Sequence, residues 1–160
     1  MPHNFERYAQ KGNQFLHELA DELGDKKNTE NAGRILRAVL KTLRNHLTLE
    51  ESFQLLAQLP MSLKSMYVDG WMPQKKFEVS RKKNDFILEV LQHQNPKVWG
   101  SVSEVREGEK TIIAVFKTLK KYISQGEFED MEAVLPSQLK KLLRDSIYIK
   151  KLTVKLVSEK

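Results

Sequence analysis

Through most of the chain apolar residues recur at spacings of three and four, the period of an α-helix that buries one face. Ile35, Leu36, Val39, Leu40, Leu43 and Leu47 form one such stripe. Phe5, Tyr8, Phe15, Leu16, Leu19 and Leu23 form another ahead of it, and Phe77, Phe86, Ile87, Val90 and Leu91 a third beyond it. Between stripes the polar residues act as punctuation. Thr48 stands three residues before Glu51, the capping-box spacing in which a hydroxyl accepts an open helix N–H and a carboxylate returns to the cap's own N–H; Ser124 and Glu127 repeat it. Pro60 and Pro136 suit a first helical turn, where the missing N–H would have no partner. The pattern predicts helices over 4–23, 30–47, 49–58, 60–69, 77–92, 104–123, 125–134 and 136–146, with Asn4 and Gly24 as terminal caps of the first. Ile147 to Val157 is rich in β-branched residues, and its periodicity leaves strand, extended arm and helix continuation open.

The matching punctuation belongs to an internal repeat. Ala38 to Met66 aligns without gaps to Ala114 to Leu142 at an offset of 76, with 11 of 29 positions identical, Thr42/Thr118, Leu59/Leu135 and Pro60/Pro136 among them. Upstream, Asn13-x-Phe-Leu-x-x-Leu matches Asn84-x-Phe-Ile-x-x-Val at an offset of 71, so the second copy holds five extra residues between about Gln94 and Gly108. Each copy reads as a leading helix, a long central helix and two short ones. Neither half has enough residues to bury its apolar stripes comfortably alone. The expected fold is therefore all-α: duplicated four-helix repeats, residues 4–73 and 77–146, packed as a single helical body with a basic C-terminal extension at 147–160. Leu59 and Leu135, at the helix junctions, are expected in its core.

Three stretches resemble a known family. Arg37 to Trp71 (RAVLKTLRNHLTLEESFQLLAQLPMSLKSMYVDGW), FKTLKKYISQGEFEDMEAVLPSQLKKLL in the second copy and the leading NQFLHELADELG are similar to the prokaryotic domain-of-unknown-function 2267 family. The likeness covers roughly residues 4 to 144 and rests on several elements in order, including Leu-Pro and the Tyr-x-x-Gly-Trp turn. It implies an all-helical fold of duplicated units and brings no activity, catalytic residue or cofactor. The chain departs from the family pattern near Val68, where a second aromatic is expected, and in its basic end beyond Arg144.

Composition narrows the classes further. In 160 residues there are 7 Gly and 5 Pro, 40% hydrophobic and 30% charged residues, which is a globular balance. Zero cysteines remove a disulfide framework and a thiol nucleophile, and fit a reducing compartment. The longest apolar run, Ile112 to Phe116, has five residues, and MPHNFERYAQKG carries no apolar signal core, so neither a membrane span nor secretion is expected. A cytoplasmic bacterial protein is the expectation. The net charge of +6 is spread thinly until the end, where Lys140, Lys141, Arg144, Lys150, Lys151, Lys155 and Lys160 face only Asp145 and Glu159. Those residues are the candidates for an anionic partner such as nucleic acid.

Catalytic signals are weak. None of the four histidines, His3, His17, His46 and His93, stands at the three- or four-residue spacing from another that groups metal ligands on a helix. Ser137-x-x-Lys140 imitates an acyl-transfer motif, but its serine follows a helix-starting proline and serves the helix end. The glycines build no phosphate loop, and Glu50, Glu51, Glu127, Glu129 and Asp130 sit where they complement helix dipoles. No enzyme, cofactor or metal is expected. The better candidate is a partner surface at Tyr67, Trp71 and Met72, where Gly70 can turn the chain and fold Trp71 back on its helix: a buried indole would be core, the favoured outcome for a tryptophan, and one exposed beside Met66 and Met72 would suit a partner. A noncatalytic protein-interaction module is the favoured reading, with polyanion binding by the C-terminal lysines as the alternative. The Thr48 to Asp69 helix pair has helix-turn-helix proportions, yet PMSLKSMYVD offers one lysine and no arginine, asparagine or glutamine to read a base edge.

Overall fold

A computed structural model describes residues 4–73 and 82–144. Seven helices are complete within them: α1 (Glu6–Glu22), α2 (Thr29–His46), α3 (Leu49–Gln58), α4 (Met61–Val68), α5 (Lys83–Gln94), α6 (Val102–Lys120) and α7 (Gln125–Val134). An eighth, α8, is helical over 137–144, where the description ends. No strand occurs among the described residues.

Local chemistry sets the boundaries. Both expected capping boxes close: Thr48 Oγ1 accepts Glu51 N–H at 3.2 Å while Glu51 Oε1 accepts Thr48 N–H at 2.9 Å, and Ser124 with Glu127 does the same at 3.1 Å each way. Pro60 and Pro136 stand at the junctions, each carbonyl accepting two N–H groups of the helix it opens. Asn4 Oδ1 accepts Glu6 N–H at 2.8 Å. At the other end of α1, Gly24 and Asp25 turn their N–H groups back to Asp21 and Ala20. Several starts differ from the sequence reading; α1 begins at Glu6 rather than 4, with Phe5 as its cap residue. α6 begins at Val102 rather than 104, because Ser101 and Glu104 form a third capping box. α5 begins at Lys83 rather than 77; residues 77–81, and with them Phe77, lie outside the described residues, as does the extension 147–160.

One hydrophobic cluster takes side chains from both segments, from Phe15 to Leu143. Leu59 and Leu135 are in it, 4% and 3% exposed. Helices of the first segment pack on helices of the second: α1 on α6, α2 on α5, α2 on α6 and α3 on α7, besides α1 and α4 on α2 and α5 on α6. The α5–α6 crossing is close enough that a Cβ on Gly108 would stand 2.7 Å from Ile87 Cγ2, so only glycine fits there. Thr42 and Thr118 are both buried, each satisfied by its hydroxyl donating to the carbonyl four residues back, Ala38 and Ala114, at 2.8 Å.

Candidate functional site

The turn after α4 is built on a buried phenol. Tyr67 is fully enclosed, its hydroxyl 2.7 Å from the buried Ser52 Oγ of α3. Burial pushes its pKa up to about 12 against the opposing effects of the Ser52 bond and Arg44, so it remains a neutral structural group. Arg44 of α2 closes the end of α4 by donating from Nη1 to the Tyr67 and Asp69 carbonyls at 2.9 and 2.6 Å. Arg37 meets the Asp69 carboxylate at 3.5 Å. Gly70 then takes φ of +67°, and Trp71 N–H returns to Val68 O at 3.0 Å. The indole is half-buried and meets two rings edge-on, Tyr67 with centroids 5.6 Å apart and Phe53 of α3 at 6.3 Å. Met72 (65% exposed) and Phe53 (58% exposed) stand beside it in solvent.

Of the three residues expected to meet a partner, the structure thus puts Tyr67 beneath the surface, Trp71 in it and Met72 upon it. Phe53 joins them, a residue that the sequence reading did not single out although Leu49, Leu56 and Ala57 stand beside it at helical spacing. Of the basic residues, Lys140 is half-buried, Lys141 is exposed, and Arg144 is exposed with its Nε 3.0 Å from Glu132. Lys150, Lys151 and Lys155 lie outside the described residues.

A second cluster escaped the sequence because it joins distant helices. His46, the last residue of α2, is buried with its ring edge-on to Phe86 at 5.1 Å and its Nε2 3.4 Å from Glu89 Oε2. Both of those atoms are shut from solvent and lack a hydrogen-bond partner. His93, one turn beyond Glu89, brings its own Nε2 to 3.9 Å from the same oxygen. Burial chiefly, with Lys41 and Arg44 adding to it, holds the His93 pKa below 6.5 against the pull of Glu89. No group of three His, Cys, Asp or Glu among the described residues is arranged to hold a metal ion.

At the repeat offsets of 76 and 71, His46, Phe86, Glu89 and His93 correspond to Tyr122, Phe15, Glu18 and Glu22. Those four residues also come together, where α1 meets α6. Phe15 and Tyr122 rings are 5.2 Å apart, and Lys121 Nζ bonds Glu22 Oε1 at 3.3 Å. Burial first, and the neighbouring Glu18 carboxylate second, push the Tyr122 phenol up to about 12. The same correspondence pairs Ser52 and Tyr67 with Phe128 and Leu143, a hydrogen-bonded couple in one segment and an apolar couple in the other, all four buried.

The family described as Uncharacterized conserved protein (DUF2267) matches residues 12–142, most of the chain. The chain belongs to the DUF2267 family. Within this DUF2267 chain the match takes in the Trp71 turn and every residue of both ring clusters, and it stops before Arg144. No curated protein matches it. Among the described residues no helix is long and apolar enough to cross a membrane.

Proposed function

We propose that this protein is a noncatalytic interaction module that meets a protein partner through Phe53, Trp71 and Met72, carried on two duplicated four-helix units packed as one body. The carrying observation is the construction of the Trp71 turn. An indole wedged edge-on against a buried phenol and a second ring is fixed before any partner arrives, so little side-chain freedom is lost on contact. Tryptophan and methionine in one exposed patch have the area and adaptability of binding anchors. The duplication is supported by the exchange of helices: α1 meets α6 as α5 meets α2, α3 meets α7, and equivalent ring pairs sit at 5.2 and 5.1 Å. A cytoplasmic bacterial setting belongs to the same proposal, since a chain without cysteine gains nothing from an oxidising compartment.

A photo-crosslinking residue placed at position 72 in cells is expected to trap one discrete protein, and Trp71→Ala is expected to weaken binding of that protein, once purified, by about 30-fold or more. Glu129 is exposed at the position corresponding to Phe53 and serves as the control. Equal trapping from positions 72 and 129, or affinity unchanged in Trp71→Ala, would contradict the reading.

The alternative is phosphate contact by Lys140, Lys141, Arg144, Lys150, Lys151 and Lys155. It ranks second because Glu132 already engages Arg144. Fluorescence anisotropy with labelled duplex and single-stranded oligonucleotides is expected to show no binding at micromolar protein in about 50 mM salt, where phosphate attraction is strongest. Binding that weakens steeply with salt, and whose salt slope flattens when Lys150, Lys151 and Lys155 become Gln, would favour the alternative.

A further inference from the structure

The two ring clusters differ in what a proton can do to them. At the α1–α6 contact the groups are Tyr122, Glu18, and Glu22 paired with Lys121. A phenol pushed up to about 12 keeps its proton through mild acid, and none of the four residues corresponding to the histidine cluster is an imidazole. At the α2–α5 contact histidines occupy the positions of Tyr122 and Glu22. Their imidazoles share one carboxylate oxygen of Glu89, at 3.4 and 3.9 Å.

We propose that His46, Glu89 and His93 form an acid-released catch on one of two corresponding joints: protonation of both histidines loosens the α2–α5 contact while the α1–α6 contact stays closed and acts as the hinge.

The charge count carries the argument. Glu89 of α5 faces both imidazoles, Phe86 of α5 covers the His46 ring, and Lys41 and Arg44 of α2 act on His93. Glu51 of α3 is turned back onto Thr48, Asp69 beyond α4 onto Arg37, and Glu109 of α6 onto Lys83 at the far end of α5. One proton on His46 gives the orphaned Nε2 and Oε2 a charge-assisted bond across the joint, which holds it. A second proton, on His93, sets two imidazoliums and two permanent cations against a single carboxylate. Opening relieves that repulsion and restores water to both rings. His93 is 31% exposed, so the second proton reaches it without prior unfolding.

The sign follows from His93. Its folded pKa lies below 6.5, so the open state binds the proton more readily; the stability this provides is complete above pH 6.5 and is lost as pH falls below it.

The test uses the full chain. Amide hydrogen exchange, corrected for intrinsic rates, is compared at pH 7.5 and 5.5, alongside NMR titration of the histidine ring protons. Protection in α2 and α5 near His46 and Glu89 is expected to fall about tenfold more than in α1 and α6 near Glu18 and Tyr122. Glu89→Gln is expected to lower the titration midpoints of both His46 and His93, since each loses its one facing carboxylate. His93→Gln, at a partly exposed position the fold tolerates, is expected to abolish the differential loss and to spare about 2–4 °C of the acid-induced fall in Tm. Equal loss of protection at both joints would overturn the proposal, as would an acid response unchanged in His93→Gln or histidine midpoints that ignore Glu89→Gln.

Discussion

Replacing Leu59 or Leu135 by alanine is expected to lower the unfolding free energy by about 2–5 kcal/mol each. Both side chains are buried at a point where the backbone is already extended, with ψ of 145° and 151°, so that the short helix before and the proline-led helix after meet at right positions for packing. Truncation leaves a hole between the end of one short helix and the proline-led start of the next, whose backbone hydrogen bonds hold both ends in place. Because α3 packs on α7 and both leucines sit in one hydrophobic cluster, their effects are expected to couple, so that the double variant departs from the sum of the two single losses. Denaturant titration checks this: a loss under about 0.5 kcal/mol at both positions, with an unchanged slope, would mean that the junctions are peripheral to the core.

Phe15→Ala and Phe86→Ala are each expected to cost about 3–5 kcal/mol, because each ring is buried where a leading helix meets the central helix of the other segment. They should also be distinguishable. Phe86 covers the ring of His46, and its loss opens a path for water to that imidazole, so the Phe86 variant should lose more of its remaining stability on acidification than the Phe15 variant, whose exposed neighbour is a phenol. Leucine at either site, which keeps most of the volume, should recover the greater part of the loss. Thermal unfolding of the four variants at pH 7.5 and 5.5 measures both effects, and identical pH dependence of Phe15→Ala and Phe86→Ala would dissociate Phe86 from the histidine cluster.

The parts of this fold that are local in the chain were readable from it. A hydroxyl three residues before a carboxylate, or a proline after a leucine, acts within one turn, so α3, α7 and the junctions at Pro60 and Pro136 stand where the pattern puts them. Gly70 could be read in the same way. The start of α5 was not, because apolar Phe77 extends the stripe without specifying where the first N–H groups find partners. Ser101 and Glu104 had no matching pair to point to them, because the corresponding cap in the first segment, Asn28, accepts Asn31 N–H at the same three-residue spacing but has no carboxylate there to close a box. Ser52 and Tyr67 show another limit. Polar atoms are expected outside, yet 2.7 Å between two hydroxyls lets both lie inside. The histidine cluster needed two facts together: the helix spacing of Glu89 and His93, and the offset that brings α2 against α5. Its signal was in the repeat all along, since the positions of His46 and Glu89 match Tyr122 and Glu18, but only packing shows that such positions meet.

The structural claim beneath the proposed module and its acid-released joint is that two corresponding units exchange their leading helices and fold as one. Separate production of residues 1–76 and 77–160, followed by mixing, tests it most directly. Each piece alone leaves the apolar stripe of its leading helix without the central helix it packs on across the joint, α6 for α1 and α2 for α5. Circular dichroism is expected to show little cooperative unfolding in either piece and, after mixing, recovery of the full chain's helicity with one shared transition at equimolar ratio. Two pieces that each unfold cooperatively alone and do not associate on mixing would contradict it.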